Sequence, residues 1–198
     1  MKKLNKVIIT DIDGVVLNWE DAFITWMEHK GHKRVEGSQF VYNAGVQFGM
    51  SREEGHRMVE IFNQSAVIGF LPPLRDAQHY IKRLAEEHGY RFIALTSLST
   101  DKYAKQLRQK NLEKLFGEIW DDVICLPTGA DKDESLTLLS HIHPGSYWIE
   151  DKITNIESGL KVGFPGILME HGYNMGGRED DRFFTATNWE EIYNYVTQ

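Results

Sequence analysis

The chain has 198 residues, 41% hydrophobic and 26% charged, with five prolines. That suits one globular domain with a small insertion and excludes a disordered, collagenous or low-complexity chain. The net charge of −7, from 22 basic and 29 acidic residues, argues against a nucleic-acid polymer as partner, because neutralising phosphates takes a surplus of Lys and Arg. A single cysteine, Cys125, excludes a disulfide framework and a multi-cysteine zinc site and fits a reducing compartment. A domain of this size buries roughly 70% of its unfolded surface and needs no covalent or metal staple. No apolar run approaches ~18 residues, so no membrane partner is expected. The opening Met1–Lys6 leads straight into a strand-like run, unlike a signal peptide. A cytoplasmic protein is the expectation, and the sequence assigns it no oligomeric state.

In chain order, Val7-Ile8-Ile9 reads as a buried strand, followed by a helix at 20–30 with Ala22, Phe23, Trp26 and Met27 on one face. A glycine-bearing loop over 31–50 carries Phe40, Tyr42 and Phe48. A helix at 52–64 is opened by a capping box of Ser51 and Glu54. Pro72-Pro73 ends this stretch. Ala77, Tyr80, Ile81, Leu84 and Ala85 then mark an amphipathic helix over 76–88 that stops at Gly89. Further strands are predicted at Phe92–Leu95, Val123–Leu126, Tyr147–Ile149 and, last, Gly166–Met169. Helices are predicted at 101–112, 132–141, 152–161 and 188–196. Short strands buried on both faces and separated by helices imply an α/β fold: a Rossmann-like parallel sheet with right-handed crossovers and helices on both faces. A strand–helix–strand unit takes about 30 residues. The first two strands are much farther apart, so residues 18–72 are expected to form a helical cap inserted after the first strand. Residues 1–17 and 73–198 would then form the core.

The polar residues that end these strands can do chemistry. Asp11 and Asp13 lie two apart at the end of the first strand, where carboxylates share a face and ligands of open α/β sheets bind. A calcium loop counted from Ile9 fails, because Ile9 has no side-chain oxygen to ligate with. Thr96-Ser97 follows the second strand and offers hydroxyls, although Ser or Thr there is more often a helix cap. Lys132 begins a helix, where a cation opposes the dipole and calls for an anionic partner; Asp131 and Asp133 are the nearest. Glu150-Asp151 ends the fourth strand as a second acidic pair. His29/His32 and His141/His143 form pairs without an evident third ligand. The segment 171–178 is either a cover over the site or a mobile glycine loop.

The order Asp-x-Asp, Ser/Thr, Lys, acid–Asp resembles the haloacid-dehalogenase superfamily of phosphotransferases over nearly the whole chain. The motifs stand as DIDGVV at 11–16, ALTS at 94–97, Lys132 in GADKDES and YWIEDKITNIESG at 147–159. The resemblance implies that Asp11 is a nucleophile forming an aspartyl-phosphate and Asp13 the acid that protonates the leaving oxygen and then activates water. It implies that Thr96 holds a phosphoryl oxygen, with Ser97, Gly14 and Ile12 at the substrate, and that Lys132 neutralises charge. Asp11, Asp13, Asp151 and Glu150 would surround Mg²⁺, with Glu150 and Asn155 either touching the metal or orienting its ligands. It makes 18–72 a type-1 helical cap. Within the superfamily the motifs look similar to deoxyribonucleotidases, which implies a small phosphomonoester substrate such as a nucleoside monophosphate. A phosphomutase and a non-catalytic phosphate-binding module are the alternatives. A hydrolytic dehalogenase needs neither Asp13 nor a metal, and a phospho-receiver domain has no use for the insertion.

Overall fold

The computed structural model describes residues 6–198, so most of the opening segment read against a signal peptide lies outside the described residues. Six parallel strands form one sheet: β1 (Val7–Thr10), β2 (Arg91–Thr96), β3 (Trp120–Cys125), β4 (Tyr147–Glu150), β5 (Gly166–Met169) and β6 (Phe184–Ala186). Their order across the sheet is β3-β2-β1-β4-β5-β6. The chain therefore leaves β1 toward one edge and later returns to build toward the other. The gap between β1 and β4 is the topological switch point, where open parallel sheets bind ligands.

The helices are α1 (Trp19–His29), α2 (Ala44–Gln47), α3 (Arg52–Asn63), α4 (Ala77–His88), α5 (Lys102–Phe116), α6 (Asp133–Ile142), α7 (Ile153–Lys161) and α8 (Trp189–Val196). Each face of the sheet has its own apolar core. Ile8, Phe92 and Ile149 pack with α4, α5 and α8, whereas Ile9, Ile93 and Trp148 pack with α6 and α7. Neighbouring strand residues thus serve opposite layers, which is why the strands read as continuous apolar runs. None of the described helices is long and apolar enough to cross a membrane.

Residues 18–72 hold α1, α2, α3 and two 3-10 turns at Ser38–Phe40 and Ala66–Phe70. The Ser51–Glu54 capping box opens α3 as expected. Phe23 organises the segment, stacking on Trp19 at 4.7 Å and meeting Phe62 edge-on at 5.3 Å. Both ends of the segment are tied to each other: the Asn18 amide donates to the Pro72 carbonyl, and the Leu74 amide to that of Val16. It is also knitted to the sheet layer. Asn63 donates to the Leu98 carbonyl, Asn111 to that of Leu71, and Gly69 lies so close to Leu107 that a Cβ would sit 2.9 Å from its Cδ2.

Three expectations need correction. Gly166–Met169 is not the last strand, because β6 follows it. At three residues, β6 is too short to leave a periodic signal. The 31–50 loop contains α2 and a 3-10 turn, both shorter than a helix pattern can reveal. β3 starts at Trp120, where two exposed acids interrupt the apolar run used to find it.

Asp76, beside the end of the insertion, accepts the Trp189 and Glu190 amides at 2.9 and 3.0 Å and so caps α8. Asp76→Ala is expected to lower stability by about 1 kcal/mol. Urea unfolding would show this as a lower midpoint with an unchanged m value.

Candidate active site

Strand register brings the polar residues together. The Asp11 amide donates to Ile149 O at 2.8 Å, extending the β1–β4 pairing by one residue past Thr10 and fixing Asp11 beside Glu150-Asp151. Thr96 ends β2 on the other side of β1. Lys132 stands at the N-cap of α6 with only 2% of it exposed.

Its ammonium lies 2.9 Å from Asp11 Oδ1 and 2.7 Å from Glu150 Oε2, with the Trp148 ring 5.2 Å away. The anionic partners that its helix position demands are therefore distant in sequence, and neither is Asp131 or Asp133. Glu150 is saturated by protein donors. Oε2 also accepts from Asn155 at 3.2 Å, and Oε1 accepts the Asp151 and Lys152 amides. Its role in this arrangement is to hold Lys132 and the start of α7.

Asp11, Glu150 and Asp151 place carboxylate oxygens within 4.8 Å of one another, all buried. Burial, then the Glu150 charge, raises Asp11 to about 7 against the pull of Lys132. Burial raises Glu150 to about 7, helped by the Asp151 charge, and Asp151 to about 6, helped by the Asp11 charge. Burial by itself would lower Lys132, but Asp11 and Glu150 hold its ammonium well above the usual lysine range. Three buried acids thus share one buried cation, and the excess negative charge on oxygen donors fits a hard divalent ion such as Mg²⁺. Asp11 and Asp151 have oxygens to offer it. Among the described residues the histidine pairs join no such cluster.

The other expected site residues divide. Thr96 is buried, and its hydroxyl has no partner in the structure. Ser97 instead donates to Ala130 O at 2.8 Å and holds the loop before α6. The Gly14 amide is spent on Leu17 O. Gly14 matters for space: its φ is +79°, and a Cβ there would lie 2.6 Å from Asp151 Oδ2. The Ile12 side chain is fully buried in the apolar core. Asp13 lies on the cavity wall, its carboxylate gripped by Arg108 at 2.6 and 3.1 Å.

Arg108 has no counterpart among the sequence-derived site residues. A usable signal existed: it stands four after Ala104 and four before Leu112, a cation within the apolar stripe of α5. Residues 171–174 also close on the site. His171 Nε2 bonds Gly14 O at 2.6 Å; a carbonyl only accepts, so Nε2 carries the proton. Asn174 donates to the carbonyls of Asp151 and Met169, and the Tyr173 hydroxyl donates to Asp151 Oδ2. Burial and the Asp151 charge push the Tyr173 phenol well up, keeping it a donor. His171 and Tyr173 stack at 5.2 Å, and Tyr42 meets Tyr173 edge-on at 5.2 Å. Of the loop aromatics, Tyr42 alone lines the cavity. Phe48 is buried against Phe23, and Phe40 packs on Gly172.

The cavity over these residues measures about 620 Å³, its floor formed by the strand ends and its roof by Trp19, Tyr42, Arg52 and Asn63. Its size and mixed polar and aromatic lining suit a small molecule.

No protein-family model matches the chain. It is 30% identical over 138 residues to an uncharacterized 32.4 kDa protein in the Gp30-rIII intergenic region of Enterobacteria phage T4. That match covers 66% of this chain and 48% of the phage protein, so the chain spans about half the length of its relative. Solved structures share the fold. A haloacid-dehalogenase-like hydrolase from Streptococcus pneumoniae superposes with a TM-score of 0.67 at 14% identity, covering 96% of this chain and 98% of that one. The D,D-heptose 1.7-bisphosphate phosphatase from B. bronchiseptica, complexed with magnesium and phosphate, gives 0.62 at 13%, covering 98% of each. An L-2-haloacid dehalogenase gives 0.61 at 14%, covering 96% and 99%. The architecture is thus the Rossmann-like fold of the haloacid-dehalogenase hydrolases.

The raised carboxyls have a consequence for stability. Between about pH 4 and 7 the folded, metal-free protein holds more protons at Asp11, Glu150 and Asp151 than the unfolded chain does. Stability from these groups is therefore present at low pH and is lost as pH rises through that window. Thermal melts in chelator are expected to give a higher Tm at about pH 5 than at about pH 8, with Mg²⁺ restoring the difference at the higher pH. A flat or opposite profile would contradict this balance of buried charges.

Proposed function

We propose that the protein is a Mg²⁺-dependent phosphatase of the haloacid-dehalogenase superfamily, acting on a small phosphomonoester through an aspartyl-phosphate. The observation that carries this reading is that Asp11, held by Lys132 beside the switch point of the sheet, and the unpartnered buried hydroxyl of Thr96 line one cavity. A nucleophile, an electrostatic clamp and an open donor meet where a phosphoryl group would enter.

In the proposed reaction an Asp11 oxygen bonds to phosphorus as the ester oxygen leaves, taking a proton from Asp13. Asp13 then removes a proton from water, whose oxygen attacks the phosphorus of the aspartyl-phosphate and releases inorganic phosphate with Asp11 restored. Lys132 balances the negative charge that Asp11 and the phosphoryl oxygens bring together, and Thr96 donates to one of those oxygens. Bound Mg²⁺, held by Asp11, Asp151 and the Asp13 carbonyl, would shield the attacking carboxylate from the phosphate dianion. Glu150 and Asn155 keep Lys132 in place. The acid pair Asp11/Asp13 favours phosphoryl transfer over dehalogenation, which has no need of the second acid.

In this reading residues 18–72 are a cap over a core of 1–17 and 73–198, and the cap selects the leaving group. Tyr42, 60% exposed at the cavity rim beside the stacked His171–Tyr173 pair, supports a planar leaving group, hence a nucleoside monophosphate. The lone Cys125 fits a cytoplasmic protein.

Phosphate release measured with Mg²⁺ across nucleotides, sugar phosphates and p-nitrophenyl phosphate tests the reading. Asp11→Asn is expected to abolish release on every substrate while leaving the circular-dichroism spectrum unchanged, and excess chelator to do the same to the wild type. Turnover by Asp11→Asn near the wild-type rate would exclude the aspartyl-phosphate.

Tyr42→Ala is expected to lower kcat/KM for a nucleoside monophosphate on the order of 10-fold more than for p-nitrophenyl phosphate. Equal losses on the two substrates would remove Tyr42 from the leaving-group site.

A further inference from the structure

Arg108 is fully buried, with none of its side chain exposed, yet it partners a carboxylate that is 20% exposed on the cavity wall. The contact is bidentate, Nη1 to Asp13 Oδ1 at 2.6 Å and Nη2 to Oδ2 at 3.1 Å, across 95 residues of sequence. Its Nε has no partner. Burying a guanidinium carries a large desolvation cost that the ion pair must offset, and an apolar side chain of similar volume in its place is often neutral or stabilising. Stability alone therefore gives no reason for an arginine here. What the fork adds over a point charge is geometry, since two parallel hydrogen bonds fix the plane of a carboxylate as well as its position.

The platform beneath the fork is firm. On α5, Asn111 binds the Leu71 carbonyl, Leu107 packs on Gly69, and Gln78 of α4 donates to Leu115 O. Asp13 itself stands in a short turn in which Val15, Val16 and Leu17 all donate to the Ile12 carbonyl. Backbone and carboxylate are thus held from two independent directions.

We propose that Arg108 is a positioning residue that holds the Asp13 carboxylate in the orientation used for proton transfer at the leaving oxygen and at the attacking water. This rests on the reading of Asp13 as the acid and base. Arg108 acts through Asp13 and reaches neither the substrate nor the reacting atoms. Misplacing an acid–base group raises the barrier to proton transfer without weakening the grip on the phosphoryl group, so the loss falls on kcat and leaves KM in place.

The test measures kcat and KM for p-nitrophenyl phosphate and phenyl phosphate, which differ mainly in how much the leaving oxygen needs a proton. The variants are Arg108→Gln, Arg108→Lys, Asp13→Asn and the double variant Asp13→Asn/Arg108→Gln, with folding followed by circular dichroism and Tm. Arg108→Gln is expected to lower kcat on the order of 10- to 100-fold, more for phenyl phosphate, with KM within about twofold. Arg108→Lys, which keeps the charge but loses the fork, is expected to retain part of the lost rate, and it carries the test if Arg108→Gln fails to fold. In the Asp13→Asn background the same Arg108 change is expected to cost less than about twofold, because nothing remains to be positioned. An Arg108 effect of equal size in both backgrounds, or one confined to KM, overturns the positioning role while leaving the acid–base reading intact. An unchanged kcat in Asp13→Asn overturns both.

Discussion

The Lys132 ammonium sits between Asp11 and Glu150, and the architecture of the site follows from the need to keep that cation buried between them. A lysine at a helix N-terminus faces the wrong end of the dipole, and one that is 2% exposed has lost its water as well. Both costs are met by carboxylates on the two central strands. Those acids are in turn costly: burial raises their pKa values, and one cation does not balance three of them. The remaining imbalance makes the site receptive to a divalent cation.

Around this centre the protein spends polar groups on orientation. Glu150 accepts two amides, a lysine and an amide side chain, which leaves it little freedom to turn toward a ligand. Asp151 is fixed by Tyr173 at one oxygen and by Asn174 at its carbonyl. Gly14 has no side chain because Asp151 occupies the space where one would go. These contacts come from the 171–174 segment beyond β5. The insertion leans on that segment, through Tyr42 on Tyr173 and Phe40 on Gly172. The residues that roof the cavity therefore also press on those that set the acids.

The insertion is not loosely hung. Its aromatic cluster runs without a break into the apolar layer beneath the sheet, and Asn63, Asn111 and Gly69 tie it to β2's outgoing loop and to α5. The same helix α5 carries Arg108. Displacement of the insertion and displacement of the Asp13 partner are thus mechanically related through one packed element.

The sequence by itself determined the alternation of buried strands and amphipathic helices, the long insertion after β1, and the placement of Asp11, Thr96 and Glu150-Asp151 at strand ends and of Lys132 at a helix start. Each of those is a local property, set by residue period, caps and breakers within a dozen positions. The tertiary structure decided which groups meet. Lys132 lies beside Asp131 and Asp133 in the chain but pairs with Asp11 and Glu150, because parallel register puts those oxygens within reach. It turned Phe48 inward to the aromatic cluster and Tyr42 outward to the cavity, although both sit in one loop. It assigned the Ser97 hydroxyl and the Gly14 amide to structural partners and left Thr96 free. Arg108 belongs to the same class. Its spacing marked a cation on an apolar face, but only the packing of α5 against the β1 turn shows that Asp13, 95 residues away, is what it holds.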